Sequence, residues 1–241
     1  MNEVTMQKMT QMKLYGFHRA FQTLLETNKH HSLTNDEVIS LLVQAEWEDR
    51  QNRKIKRLLR MARFRYQACV EEIDFTSKRN LDKTQLIRLA DCSFIDKGDN
   101  LLVTGPTGVG KSYITSAIGN QACLKGYKVV YSNAQKLFRR LAMSKADNSY
   151  LKEIDKIEKH DLLILDDFGL EPFDHQSRMM LLEIIEDRHG NKSTLIASQL
   201  PVMKWHEVIG ESTIADAVMD RLIYGAQRIE LKGASMRKNV K

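Results

Sequence analysis

Residues 105–112, Gly-Pro-Thr-Gly-Val-Gly-Lys-Ser, carry the first chemistry legible in the chain. The loop of Gly105, Pro106, Thr107, Gly108, Val109 and Gly110 is glycine-rich where the backbone must curl to aim N–H groups at an anion. Lys111 follows at the position that reaches β- and γ-phosphates, and the Ser112 hydroxyl at the position that ligates magnesium. The run matches the Walker A pattern at every defined position. Its flanks agree, because the apolar run LLVT precedes it and a helical stretch, SYITSAIGNQACL, adds the positive end of a helix dipole.

Leu-Leu-Ile-Leu-Asp-Asp at 162–167 is an apolar run ending in two carboxylates. Downstream of a phosphate loop, this pattern assigns Asp166 to magnesium and Asp167 to orienting or deprotonating the attacking water. Thr-Leu-Ile-Ala-Ser-Gln at 194–199 ends in polar side chains in the same way. In P-loop ATPases of the additional-strand type, such a strand lies between the other two and its end senses the γ-phosphate. Ser198 and Gln199 are the candidates. Two arginines fit the charge of the transition state: Arg221, aimed at a neighbouring subunit's nucleotide, and Arg237, aimed at the bound one.

These residues need a scaffold, and the hydrophobic pattern supplies one. Short apolar runs at 100–104, 128–132, 162–165, 194–198 and 228–231 read as strands, with helices at 111–125, 134–144, 176–189 and 214–224 between them. The alternation predicts an α/β fold, a five-stranded parallel sheet flanked by helices. Upstream the pattern is helical throughout. Leu14, Phe17, Phe21 and Leu24 mark one helix face. Thr34 with Glu37 forms a capping box opening a second helix that runs to about Arg65. The expected layout is a small all-α N-terminal domain over 1–70, a linker over 71–94 and the ATPase core over 95–241.

The composition fits this layout. Of 241 residues, 42% are hydrophobic, enough for a sizeable core. No apolar run approaches a membrane span, and Lys8, Lys13 and Arg19 interrupt the N-terminus against a signal peptide. Cys69, Cys92 and Cys123 are scattered and odd in number, as expected of reduced thiols in the cytoplasm.

The formal charge of +6 matters for where it sits. Arg50, Arg53, Lys54, Lys56, Arg57, Arg60, Arg63 and Arg65 follow Asp49 with no acidic residue among them. Arg50, Arg53, Arg57 and Arg60 share one helical stripe with Lys54 beside it, and like charges at that spacing repel. An uncompensated stripe points to phosphate binding. Lys136, Arg139 and Arg140 form a second basic cluster on the core. No base-reading motif is present, so the expected ligand is the backbone of duplex DNA.

Taken together, GPTGVGKS, LLILDDFGL, IASQLPVMKWHEVI and DAVMDRLIYGAQRIELKGASMRK resemble the IstB-like ATP-binding proteins. These are helper ATPases encoded beside the transposase in one class of bacterial insertion sequences. MKLYGFHRAFQ and EWEDRQNRKIKRLLRMARF are similar to the same family, so the resemblance spans nearly the whole chain. It implies an AAA+ core related to the DnaC and DnaI helicase loaders, with ATP and Mg2+ as cofactors. It also implies ATP-dependent self-assembly on target DNA and delivery of that DNA to a partner transposase. Under it Asp166 and Asp167 form the Walker B pair, and Gln199 with Ser198 the sensor 1 segment. Arg221 becomes the arginine finger and Arg237 the sensor 2 arginine. Asp167 stands where AAA+ proteins usually carry Glu, a shorter reach that implies slow hydrolysis. Two rival readings use the same chemistry, a DnaC-like helicase loader and a P-loop small-molecule kinase.

Overall fold

In the computed structural model, which describes residues 2–28, 31–76 and 79–236, the expected strands form one sheet. They are β1 (Leu101–Thr104), β2 (Val129–Asn133), β3 (Leu162–Phe168), β4 (Ser193–Ser198) and β5 (Gln227–Glu230). The order is β2-β3-β4-β1-β5 and every pairing is parallel. β4 therefore separates β1 from β3, as the additional-strand reading requires. The fold is a P-loop AAA+ core.

Strand side chains alternate between the two faces of the sheet. Leu101 and Val103 of β1, with Leu162 and Ile164 of β3, pack on one face in a core shared with Ile114, Ala117 and Ile118. The last three lie on α6 (Lys111–Leu124). Leu102, Leu163 and Leu165 face the other way and join Leu137, Leu141, Met180, Leu181, Ile184 and Val218. Those residues belong to α7 (Ala134–Ala146), α9 (His175–Arg188) and α11 (Ser212–Ile223). The strands are apolar on both faces because helices cover both. Two further helices add to the expected ones, α8 (Tyr150–Glu158) and the short α10 (Trp205–Ile209).

The chain divides into two units, Met1–Arg57 and Leu58–Lys241. The first contains α1 (Asn2–Gln11), α2 (Tyr15–Glu26) and most of α3 (Asn35–Ala62). The capping box forms as expected: Glu37 Oε2 accepts the Thr34 N–H at 2.7 Å, and Thr34 Oγ1 accepts the Glu37 N–H at 3.3 Å. No side chain of α2 caps its own first turn. Glu46 of α3 does so instead, accepting the Gly16 and Phe17 N–H groups at 2.8 and 3.2 Å. Gly16 permits this approach, since a Cβ there would lie 2.3 Å from the Ala45 carbonyl oxygen.

In the second unit α3 ends at Ala62, short of the expected Arg65, because Arg63 turns into the left-handed region at φ 57°. The stretch expected as a linker, 71–94, holds α4 (Lys83–Ala90), capped by Asp82, and the start of α5 (Ser93–Asp96). Its Ile73, Leu86, Leu89 and Cys92 are buried against the sheet. Apolar side chains at helical spacing give this segment a face to bury, so it packs as part of the core. Among the described residues the cysteines are free; burial pushes the Cys92 thiol up to about 11 and the Cys123 thiol to about 12. No helix among the described residues is long and apolar enough to cross a membrane.

Candidate nucleotide site

The C-terminal ends of β1, β3 and β4 open onto a cavity of about 570 Å3. That falls within the range of small-molecule and cofactor sites. Thr107, Gly108, Gly110, Lys111 and Ser112 line it together with Asp167 and Gln199. Lys111 is buried and donates from Nζ to the Gly105 and Pro106 carbonyls, both at 2.8 Å, so its ammonium lies across the loop. Gly108 needs its freedom twice over. Its φ is +86°, and a Cβ would come within 2.1 Å of Ser235 Oγ. The segment following β5 crosses the loop there, with the Met236 N–H donating to the Gly108 carbonyl at 2.9 Å.

The carboxylate pair leaves the sheet through an irregularity. The β3–β4 register is regular to Leu165↔Ile196, shifts, and resumes at Phe168↔Ser198. Asp167 sits inside this bulge at φ 57°, a conformation uncommon for a residue with a Cβ. Asp166 is almost fully buried. Its Oδ1 accepts the Asp167 N–H at 3.0 Å and its Oδ2 accepts the Tyr131 hydroxyl. Burial and that hydrogen bond raise the Tyr131 pKa, which keeps the hydroxyl protonated as a donor. Asp167 Oδ2 accepts from Asn133 Nδ2 at 3.1 Å and from Arg65 Nη1 at 3.2 Å.

The structure separates the two sensor candidates. Ser198 is fully buried, donating to the Phe168 carbonyl at 2.7 Å and accepting the Leu200 N–H at 3.1 Å. Gln199 lies in the cavity and accepts the Thr107 hydroxyl at 2.6 Å. Arg221 on α11 is not among the cavity-lining residues; its guanidinium donates to Glu186 Oε1 at 3.0 Å and to the Ala217 carbonyl at 2.9 Å. Arg237 lies outside the described residues.

Sequence reasoning missed Tyr131, which reads only as a strand residue, and Asn133, which falls between a strand and a helix. It also missed Arg65, read only as the end of a basic run, and Arg79. The last is buried beside the loop, with Nη1 3.2 Å from the Val109 carbonyl. Neither had a local signal for its place at the site, because Asp167 and Val109 lie far along the chain from them.

The basic stripe is corrected in part. Arg50 Nε pairs with Glu46 Oε1 at 2.7 Å, and Arg53 pairs with Asp49 at 2.5 Å and Glu46 at 3.5 Å. These two are compensated, since Glu46 and Asp49 lie one helical turn before them. Lys54, Arg57 and Arg60 are exposed and have no acidic partner within 4 Å among the described residues. On α7, Lys136, Arg139 and Arg140 are exposed, and Arg140 lies 3.5 Å from Glu153.

Magnesium fits the donors present. Ser112 and Asp166 offer hydroxyl and carboxylate oxygens, and no group of three or more His, Cys, Asp or Glu forms a cage among the described residues. An ion held by one or two protein oxygens, with substrate phosphates and waters as its other ligands, is magnesium's usual arrangement.

The family model described as IstB-like ATP binding protein matches residues 7–241. An insertion sequence ATP-binding protein of Sinorhizobium fredii (strain NBRC 101917 / NGR234), y4pL, is 43% identical over 235 residues, 98% of this chain and 96% of its own length. The ATP-binding protein of insertion sequence IS1162 from Pseudomonas fluorescens is 38% identical over 202 residues, 83% of this chain and 87% of its own. Among solved structures, DnaI is similar with a TM-score of 0.60 and 25% identity, over 73% of this chain and 93% of that one. The DnaC helicase loader, at 20% identity and a TM-score of 0.57 over 69% of this chain and 98% of its own, shares the fold.

Proposed function

The chain belongs to the IstB-like ATP binding protein family, an AAA+ ATPase associated with insertion sequences, and on that premise we propose that it assembles with ATP on target DNA and delivers that DNA to a partner transposase. One observation carries the catalytic part: β3 and β4 bring Asp167 and Gln199 into the same cavity as the phosphate loop and Lys111.

Within that cavity the loop N–H groups and the α6 N-terminus bind the phosphates. Lys111 turns from the Gly105 and Pro106 carbonyls to the β- and γ-phosphates. Ser112 and Asp166 would hold magnesium, which would supply charge neutralisation at the phosphates. Asp167 accepts the proton of the attacking water or orients it, and Gln199 holds that water in line. Ser198 positions Gln199 through its bonds to Phe168 and Leu200. Arg221 completes a neighbouring subunit's site, exchanging Glu186 for the γ-phosphate, and Arg237 contacts the nucleotide. Lys54, Arg57 and Arg60, with Lys136 and Arg139, meet DNA phosphates. Arg50, Arg53 and Arg140 contribute less, because each already has a carboxylate partner.

The test is a pair of substitutions. Lys111→Ala removes a ground-state phosphate contact and abolishes ATP binding. Asp167→Asn acts on the water alone and keeps binding while turnover is lost. Equal loss of binding in both would refute the role assignment. A second reading, a helicase loader, draws on the likeness to DnaI. Capture of a transposase or of a hexameric helicase by the ATP-bound chain decides between them.

A further inference from the structure

Arg65 belongs to none of the motifs that define the site, yet its guanidinium touches both Walker B carboxylates. Nη1 lies 3.2 Å from Asp167 Oδ2 and 3.5 Å from Asp166 Oδ2, and the side chain lines the cavity beside Lys111, Ser112 and Gln199. The left-handed turn at Arg63 ends α3 and brings Arg65 to this place, where the guanidinium also lies 5.7 Å from the centre of the Tyr66 ring. We propose that Arg65 reads the terminal phosphate of the bound nucleotide in cis: its guanidinium leaves the Asp166–Asp167 pair for the γ-phosphate when a nucleoside triphosphate occupies the cavity. This deepens the ATPase reading and rests on it.

Reach supports the exchange. A base sits about 3 Å from the water it activates, and that water about 3–3.5 Å from phosphorus, so the γ-phosphorus belongs about 6 Å from the Asp167 carboxylate. Arg65 already bonds that carboxylate, and 43% of its side chain is exposed, so rotation of its outer torsions carries the fork onto phosphate oxygens. Charge supports it as well. While the guanidinium and the Asn133 amide both donate to Asp167 Oδ2, that oxygen's lone pairs are occupied and none is open to the attacking water. Transfer to phosphate frees the oxygen and places a cation where charge develops during cleavage. A nucleoside diphosphate ends one phosphate short of the guanidinium, so the residue discriminates between the two nucleotides.

The experiment measures affinities of a non-hydrolysable ATP analogue and of ADP for the full chain and for Arg65→Gln, Arg65→Lys and Lys111→Ala, with folding checked by circular dichroism. Arg65→Gln is expected to weaken the triphosphate by about tenfold, the scale of one charge-assisted bidentate contact, and to leave ADP unchanged. Arg65→Lys keeps the charge beside the carboxylates and loses the fork, so it falls between. It also carries the test if the Gln variant does not fold. An unchanged ratio of triphosphate to diphosphate affinity in both variants, or equal loss for the two nucleotides, overturns the proposal. Lys111→Ala fails separately: full nucleotide affinity in that variant would refute the site itself, whatever Arg65 does.

Discussion

The proposed DNA contacts give a quantitative test, because the structure sorts the α3 cations into two groups. Among the described residues Lys54 and Arg57 have no acidic partner, whereas Arg50 and Arg53 are held by Glu46 and Asp49. Each phosphate neutralised on duplex DNA contributes about −0.9 to the slope of log affinity against log salt. Lys54→Ala with Arg57→Ala should therefore flatten that slope by about 1.8 per subunit. Between 50 and 200 mM salt, a fourfold change, the variant should lose about twelve-fold less affinity than the parent. Arg50→Ala with Arg53→Ala should flatten it less. Those arginines are engaged by Glu46 and Asp49 and must give up these partners before they can meet phosphate. The assay is fluorescence anisotropy on two unrelated duplexes over a salt series, with ATP analogue present. Equal losses on both sequences are expected of backbone contacts. Circular dichroism must show intact helix, since long cationic side chains in general also pack through their stems. A folded Lys54/Arg57 variant with an unchanged slope, or a larger effect from the Arg50/Arg53 pair, would refute the reasoning.

Arg221→Ala subunits mixed with Lys111→Ala subunits should regain ATPase activity if Arg221 works on a neighbour; co-assembly with no recovered turnover at any ratio would remove it from that role. Ser198→Ala should lower thermal stability, by about 1–3 kcal/mol for the buried partners left unpaired, while keeping more turnover per folded molecule than Gln199→Ala, which should lose turnover at unchanged stability. In the N-terminal unit, burial pushes the Glu46 pKa up, but bonds from Arg50, Phe17 and Gly16 outweigh it and lower the pKa below 4.5. Its stabilising effect is thus complete above pH 4.5 and disappears as pH falls through the depressed folded value. Glu46→Gln should cost about 1 kcal/mol near pH 7, and thermal melts should show the gap from the parent closing as the solution is acidified below that window.

The phosphate loop, the strands and the carboxylate pair are legible in the residues alone. Their signals are local: glycine where the backbone must curl, unbroken apolar runs where strands are covered on both faces, and polar residues where each strand ends. The pairing of Glu46 with Arg50 and of Asp49 with Arg53 was legible too, since helical spacing superposes residues four apart. Both acids stand at the N-terminal edge of the basic run, outside the stretch that lacks acidic residues. Segment 71–94 was harder, because one short amphipathic helix resembles a connection until the core that buries Leu86 and Leu89 is in place. That Ser198 is buried while Gln199 lines the cavity is decided by tertiary structure alone, as adjacent residues at a strand end face opposite ways and only the neighbouring strands define which side is cavity. The same holds for the bulge at Asp166–Asp167, which arises from the register of β3 on β4. Arg65 is the clearest case. Its partner Asp167 lies 102 residues away, and no periodicity or motif connects them: a salt bridge over that distance exists only once the chain has folded.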